Sequence, residues 1–287
     1  MSRGRESRVQ GRESRVQGRV GVITMPLTEE DGRSFVSGSV VDWLQSAGLD
    51  VVPIPYTYSP SHVHHLVNSI HGLFLQGGPV FNMRYRTLVA ALLQEIHRRY
   101  ILLQEEHGEG AYVPVWGVCH GLEMALSTYG GIWPLETFNA VGRHSAVLRP
   151  TAEGIREGRL LRARGALRRF PRNAIFSHSY GMSPSLFRRN SVLADHFRIL
   201  ATTRDRNGVP YVSLVEGRTM PIYLMQFHPE MDRNFAWMAQ AFGQEVTYAA
   251  QQRGALPRRR SELRLEERTG CPDAEQEIVS DAGCFLF

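Results

Sequence analysis

The sequence predicts an α/β fold with a mostly parallel central sheet and helices on both faces, of the flavodoxin-like kind. First, short continuous apolar runs alternate with segments of helical periodicity in the first half. Second, 287 residues that are 43% hydrophobic can bury one large core. Third, the second half carries further short apolar runs, which predict extra antiparallel strands at one edge. In such sheets ligands bind at the carboxyl ends of the strands.

The first half supplies four predicted strands and three predicted helices. The apolar runs that predict strands are residues 20–24, 49–54, 71–75 and 112–118. Apolar residues at helical spacing predict helices over residues 34–47, 62–69 and 85–104. Each predicted strand after the first therefore follows a helix, which is the order that a parallel sheet requires.

The second half has a different pattern. Short apolar runs predict antiparallel strands at residues 174–176, 197–202, 211–215 and 222–226. A last amphipathic segment, residues 236–252, predicts a helix that closes the domain. We therefore expect one domain over residues 19–254.

The two ends of the chain differ from this domain in composition. Residues 1–18 contain the tandem repeat GRESRVQ, polar and basic, which predicts disorder. Residues 255–287 are rich in both charges, which predicts a flexible tail. Six Arg and two Glu within residues 1–19 account for most of the net charge of +5, so we expect no nucleic-acid partner.

Residue usage excludes several kinds of chemistry. All 33 basic residues are Arg, so no lysine can form a Schiff base. The three cysteines, Cys119, Cys271 and Cys284, are too widely spaced for a disulfide framework or a clustered zinc site. We therefore expect no metal and no cofactor. No apolar run is long enough to span a bilayer and no secretory signal is seen, which predicts a cytoplasmic protein.

The segment VWGVCHGLEMAL, residues 115–126, is typical of a nucleophile elbow. An apolar strand runs into Cys119, and a helix follows. Gly117 and Gly121 allow a tight turn, and the amide of His120 can point at an oxyanion. The helix amino end is expected to lower the thiol pKa. A buried structural cysteine is the alternative interpretation.

A base for Cys119 is predicted in QFHPEM, residues 226–231. His228 follows an apolar run, Pro229 fixes the backbone beyond it, and Glu230 can orient the imidazole. A lone His-Pro-Glu is weak evidence, since histidines more often have structural roles. It gains weight from the elbow about a hundred residues upstream.

These motifs resemble those of class I glutamine amidotransferases and of their relatives, the γ-glutamyl hydrolases. The resemblance runs from about residue 19 to residue 252 and favours the hydrolases. The segments that carry it, in order, are SAGLDVVPIP, HGLFLQGG, PVWGVCHGLEMAL, FSHSYGMS and VSLVEGRTMPIYLMQFHPE. Several motifs in one order are far more specific than one motif alone.

The resemblance implies a mechanism and a site. Cys119 would attack a γ-amide carbon, His228 and Glu230 would assist, and water would release the γ-glutamyl acyl-enzyme. Gly78 would supply the second oxyanion donor. Three further positions match substrate-site residues of the family: Glu123, His178 and Gln226. The implied substrate is a small molecule with γ-linked glutamates, of the folate polyglutamate type.

Glu123 is the residue that distinguishes the two families in this resemblance. It stands where the hydrolases have a glutamate and the amidotransferases commonly have a glutamine. A carboxylate there suits an α-amino group, although a glutamate in the first turn also stabilises any helix. The alternatives are a glutaminase subunit that passes ammonia to a synthetase, and a catalytically silent, membrane-attached binding protein.

Two features of this chain depart from the family. His120 replaces an apolar residue, and no secretory signal is seen, whereas family members are exported, lysosomal or vacuolar. The last four residues, Cys-Phe-Leu-Phe, fit a prenylation pattern centred on Cys284. This raises the hypothesis of a C-terminal lipid that attaches the protein to the cytoplasmic side of a membrane. The sequence leaves open whether the protein forms a homodimer.

Overall fold

A computed structural model of the chain describes residues 18–27, 33–78, 82–107, 112–132, 135–163 and 165–253. It also describes the backbone of two short strands in residues 266–268 and 284–286. Our predictions of a disordered repeat and of a flexible tail, and the predictions for Cys271 and the Cys284 side chain, lie outside the described residues.

Fourteen strands and ten α-helices are present in the described part of the chain. The strands are β1 (Arg19–Ile23), β2 (Met25–Pro26), β3 (Ser34–Ser37), β4 (Asp50–Ile54), β5 (Gly72–Leu75), β6 (Val115–Val118), β7 (Glu136–Val147), β8 (Arg149–Pro150), β9 (Asn173–Gly181), β10 (Phe197–Arg204), β11 (Pro210–Gly217), β12 (Ile222–Met225), β13 (Glu266–Arg268) and β14 (Cys284–Leu286). The helices are α1 (Gly38–Ser46), α2 (Val63–Ser69), α3 (Met83–His107), α4 (His120–Gly130), α5 (Ala152–Glu157), α6 (Arg159–Arg162), α7 (Ala166–Arg169), α8 (Pro184–Arg189), α9 (Ser191–His196) and α10 (Ala236–Arg253).

The central sheet has eight strands in the order β4-β1-β5-β6-β12-β11-β10-β8. The first five are parallel to one another. The last three add antiparallel pairings to the edge beyond β12. The predicted fold class, mostly parallel with antiparallel strands in the C-terminal half, is confirmed.

Two strands of the second half differ from the prediction. Residues 222–225 form β12, which pairs antiparallel with β11 as expected but parallel with β6 on its other side. The run 174–176 lies within β9, which is not part of the central sheet. It pairs with β7 in a separate two-stranded ribbon. Strand direction is decided by how the chain returns to the sheet, which a short apolar run does not encode.

The predicted first helix, residues 34–47, divides into a strand and a helix. Residues 34–37 are β3, which pairs with β2 and β14 in a small second sheet. The helix α1 begins only at Gly38. Phe35 and Val36 fit a helical period and an extended run equally well, because the apolar stretch is short.

Apolar side chains form a core on each face of the central sheet. On one face α1 and α10 cover the sheet with Trp43 and Phe242, whose rings pack around Trp116 of β6. On the other face α2, α3 and α4 contribute a second cluster that includes Leu88 and Leu122. All four residues of β6 are buried, as expected for a strand covered on both sides.

No helix in the described ranges is both long enough and apolar enough to cross a membrane.

Candidate active site

The predicted strand-to-helix turn lies in the middle of the sheet, where β6 ends and α4 begins. Cys119 occupies the turn with φ +51° and ψ −109°. Its amide donates to Met225 O of β12, and its carbonyl accepts from Glu123 N in the first turn of α4. These bonds to two elements fix a backbone conformation that a non-glycine residue rarely adopts.

The two glycines around Cys119 are required by close packing. A Cβ on Gly121 would lie 2.1 Å from the carbonyl oxygen of Leu75, at the end of β5. A Cβ on Gly117 would lie 3.0 Å from the backbone of Gly121. Glycine therefore lets α4 start directly against the sheet, which brings Cys119 to its carboxyl edge.

The Cys119 side chain is buried, and its thiol donates to Ser177 O of β9 at 3.5 Å. Burial raises the pKa of this thiol, and the opposing influence of His228 does not cancel the rise. The sequence had led us to expect a lowered pKa from the amino end of α4. That expectation was wrong in its net direction, because desolvation of the thiolate is the larger effect.

His228 follows β12 and is held from two sides. Its amide donates to Ile175 O of β9, and its ring Nδ1 donates to Glu230 Oε1 at 2.7 Å. The second ring nitrogen, Nε2, is buried, and the ring also interacts with the Cys119 sulfur, both by charge and as a hydrogen-bond partner. A neutral imidazole with Nδ1–H held in this way presents the lone pair of Nε2.

Charge around His228 favours its protonated form. Burial lowers its pKa, but the Glu230 carboxylate and the Cys119 sulfur outweigh burial and raise the pKa well above its ordinary value. The His228 and Glu230 side chains are 1% and 3% exposed. Because water screens so little here, Glu230 acts strongly on the imidazole.

Gly77 lies between the Cys119 and His228 side chains. A Cβ on Gly77 would lie 3.2 Å from Cys119 Cβ and 3.0 Å from His228 Cε1. A Cβ on Gly78 would instead meet Met25 at 2.4 Å. The sequence singled out Gly78 and missed Gly77, although the doublet itself was a usable signal.

Glu123 is 5% exposed and is held by two polar neighbours. Its Oε1 accepts from Gln226 Nε2 at 3.0 Å, and its Oε2 lies 3.2 Å from His120 Nδ1. His120 in turn packs against the ring of Tyr85 of α3. Three of the residues predicted for the site thus form one buried network beside Cys119.

The ribbon of β7 and β9 crosses the carboxyl edge of the sheet. Through Ser177 O it contacts Cys119, and through Ile175 O it contacts His228. His178, next to Ser177 in β9, is the residue that pairs with Ala140 of β7. Its Nδ1 donates to Tyr180 O, and burial lowers its pKa to about 4, so the ring is neutral at neutral pH. No feature of the sequence pattern indicates that β9 supplies these backbone contacts.

Comparisons with known proteins agree on one superfamily. The family model for class-I glutamine amidotransferases matches residues 31–235. The chain is similar to gamma-glutamyl hydrolase B of Dictyostelium discoideum, with 29% identity over 229 residues that cover 74% of this chain and 62% of the relative.

Two mammalian proteins give comparable matches. Gamma-glutamyl hydrolase of Bos taurus is 30% identical over 209 residues, and that of Homo sapiens is 29% identical over 209 residues. Each alignment covers 69% of this chain and 61% of the relative. The chain thus spans about three fifths of the length of the curated relatives it matches.

Proposed function

The chain belongs to the class I glutamine amidotransferase family, and on this basis we propose that it is a cysteine hydrolase of γ-glutamyl amide bonds. The observation that carries the proposal is the buried set at the edge of the sheet. Cys119 in a strained turn faces His228, whose other nitrogen is bound by Glu230. A nucleophile, a base and an orienting carboxylate are the parts that acyl transfer needs.

In the proposed reaction the Cys119 sulfur attacks the γ-carbonyl carbon while its proton passes to His228 Nε2. The C=O π electrons move to oxygen, and in this proposal the backbone amides of His120 and of Gly78 or its neighbour Gly77 stabilise the oxyanion. When the intermediate collapses, the C–N bond breaks and His228 gives its proton to the leaving amine. Water, deprotonated by His228, then attacks the thioester and releases the γ-glutamyl product and the Cys119 thiol.

The pKa shifts of Cys119 and His228 support transfer of the thiol proton to the imidazole while the sulfur attacks the carbonyl carbon. Burial raises the pKa of the Cys119 thiol, because the thiolate loses its hydration. Glu230 raises the pKa of His228, which stabilises the imidazolium that forms as the proton moves. Charge thus develops next to groups that were oriented before the substrate arrived.

The proposed recognition of the substrate's glutamyl group rests on Glu123. Its carboxylate is buried one turn into α4, beside Cys119, and its orientation is fixed by His120 and Gln226. A fixed, desolvated carboxylate favours an α-ammonium group over a neutral group. In this proposal Glu123, His178 and Gln226 contact the γ-glutamyl end of the substrate.

We propose polyglutamates of the folate type as the substrate class, on the strength of the resemblance to relatives named gamma-glutamyl hydrolases. A second function, glutamine hydrolysis that feeds ammonia to a synthetase, is favoured by one observation. The family model that matches the chain is that of class-I glutamine amidotransferases.

One assay separates these functions. The protein is incubated with a γ-linked polyglutamate and, separately, with glutamine, and released glutamate and ammonia are followed for wild type and Cys119→Ala. Glutamate released from the polyglutamate alone, and lost in Cys119→Ala, supports our proposal. Ammonia from glutamine supports the second function. If neither substrate gives a product that depends on Cys119, both enzyme proposals fail, and the result supports the alternative of a catalytically silent binding protein.

We further propose a location in the cytoplasm or on the cytoplasmic side of a membrane, through a lipid on Cys284. Metabolic labelling with a prenyl precursor should mark wild type and leave Cys284→Ser unmarked, and an unmarked wild type excludes this attachment. Light scattering of the purified chain tests whether it forms a homodimer, since a dimer doubles the mass of 32.4 kDa.

A further inference from the structure

A cavity of about 400 Å³ lies far from Cys119, on the opposite edge of the sheet. Its walls come from α2, α3, the residues just before β6 and the last turn of α10. Val113 precedes the amino end of β6, whereas Cys119 follows its carboxyl end. The cavity is therefore separate from the candidate active site.

Three arginines line this cavity: Arg98 and Arg99 of α3, and Arg253 of α10. No Asp or Glu is among its lining residues in the described part of the chain. One carboxylate that contacts these arginines is Glu95, which accepts hydrogen bonds from Arg98 and Arg99. These bonds lower the pKa of Glu95 to about 2. Counted over the three lining arginines and Glu95, one negative charge against three positive charges leaves an excess of two.

The excess positive charge lies at Arg253 and the neighbouring Arg99. Its guanidinium donates to Ile70 O at 2.6 Å and to Val67 O at 3.0 Å, which caps the end of α2. A guanidinium has five N–H groups, so three have no acceptor in the ranges that the structure describes. Burial lowers the pKa of Arg253, and the positive charge of Arg99 lowers it further. The two arginines repel each other, and an anion between them would remove this repulsion.

The rest of the wall is apolar or aromatic. Leu103 of α3 and Val113 supply aliphatic surface, and Tyr100 and Tyr112 supply rings. Tyr112 is held by the ring of Tyr248 of α10, with centroids 6.2 Å apart. A ligand that fills the cavity therefore needs a flat or apolar body as well as a charge.

We propose that this cavity binds a phosphate monoester of a ring-bearing small molecule. A phosphate monoester carries close to two negative charges at neutral pH, which matches the excess of two positive charges. Arginine pairs are the usual partners of phosphate oxygens, because the guanidinium fork fits two of them. The volume is in the range of small-molecule sites. This inference does not depend on the chemistry at Cys119.

Isothermal titration calorimetry with phenyl phosphate on the full chain tests the proposal. Cys119→Ala serves as the background, so that the candidate active site cannot turn over a ligand. We expect one site with a Kd of about 1 mM or tighter, and inorganic phosphate about tenfold weaker because it lacks the ring. Arg99→Gln and Arg253→Gln should each weaken phenyl phosphate about tenfold or more.

Two further variants keep the test decisive. Arg162→Gln, an exposed arginine on α6, is the matched control and should bind phenyl phosphate like the background protein. Leu103→Trp fills the cavity and leaves both arginines in place, so it should block binding even if Arg253→Gln does not fold. Circular dichroism reports folding of each variant.

Several results would overturn the proposal. One is the absence of any heat of binding at about 10 mM phenyl phosphate. Another is that Leu103→Trp binds phenyl phosphate as tightly as the background protein. A third is that Arg162→Gln loses as much affinity as Arg99→Gln and Arg253→Gln, which would indicate general charge attraction. Inorganic phosphate that binds as tightly as phenyl phosphate would contradict the role of the apolar wall.

Discussion

At the scale of single residues, strain and burial are concentrated at Cys119. Among the residues that the structure describes, it is the one non-glycine residue with positive φ. Such a conformation costs about 1–3 kcal/mol and persists only when surrounding contacts enforce it. Here the backbone bonds to Met225 and Glu123 enforce it, and the sulfur is directed at the edge where parallel strands bind ligands.

We predict that Glu230 contributes to catalysis through its effect on the pKa of His228. Glu230→Gln removes the carboxylate that raises the pKa of His228, so the imidazolium in the transition state is less stable. We expect kcat for γ-glutamyl release to fall about 100-fold or more. Glu157→Gln, on the exposed pair with Arg156, is the control and should retain full activity. A Glu230→Gln enzyme within twofold of wild type would exclude Glu230 from this role.

Glu123 is predicted to act on binding. Glu123→Gln keeps the size of the side chain and an acceptor for Gln226 Nε2, but it loses the negative charge. We expect KM for a γ-glutamyl substrate to rise about tenfold, with a smaller change in kcat.

The matched control for Glu123 is a substrate whose α-amino group is acetylated. It has no ammonium group to lose, so its steady-state constants should be the same in Glu123→Gln and wild type. An equal rise in KM for both substrates would show that Glu123 supports the fold of the site and does not read the ammonium.

At the scale of elements, the position of Cys119 depends on how closely α4 approaches β5. Gly121 of α4 touches the Leu75 carbonyl, and Gln76 just beyond β5 is fixed by bonds to Ile23 O and Phe35 O. Gly77 and Gly78 therefore directly follow a rigid strand end. Sites built on rigid elements hold their geometry better than sites on free loops.

Gly121→Ala tests this close approach. Its Cβ would overlap a backbone oxygen that cannot move without shifting β5, so we expect the free energy of unfolding to fall by about 2–3 kcal/mol. Gly130→Ala in the last turn of the same helix is the control. Its Cβ would meet side-chain atoms of Leu193 and Asn190, at 3.0 Å or more, which can yield.

Urea denaturation of both variants measures the difference. Gly130→Ala should stay within about 1 kcal/mol of wild type, since the crowding is offset by the higher helix propensity of alanine. Equal stability of Gly121→Ala and wild type would contradict the packing argument.

At the scale of the whole molecule, two buried groups couple folding to pH with opposite signs. Burial lowers the pKa of His178 from 6.5 to about 4, so between these two pH values the unfolded chain binds more protons than the folded chain. His178 therefore contributes stability above pH 6.5 that is lost as the pH falls towards 4. Burial raises the pKa of Glu245 from 4.5 to about 7, although a bond from Tyr223 opposes the rise. Glu245 therefore contributes stability below pH 4.5 that is lost as the pH rises through 7.

The two effects partly cancel in wild type and should separate in variants. Removing the titration in His178→Gln should make the free energy of unfolding fall more steeply with rising pH between 4.5 and 6.5 than in wild type. Removing it in Glu245→Gln should make the same free energy rise with pH there. Urea denaturation across this range gives both slopes, and slopes of the same sign would contradict the assignment of one or both groups.

Local pattern was enough to predict the parallel half of the sheet and the candidate nucleophile. The strand, Cys119 and the helix are contiguous, and the two glycines are spaced by the turn itself, so the signal lies within twelve residues. The predicted base lies at a strand end for the same local reason, and Glu230 is only two residues away. The roles of these residues stay predictions.

Tertiary structure decided what depends on contacts between distant segments. The parallel direction of β12, the ribbon of β9 over the site, the place of Gly77 and the raised pKa of the Cys119 thiol all belong to this group. The sequence contains the helix whose amino end favours a thiolate, but burial of the sulfur arises only when β9 and β12 close around it. Desolvation grows with the number of surrounding groups, and that number is set by the fold and not by neighbours in the chain.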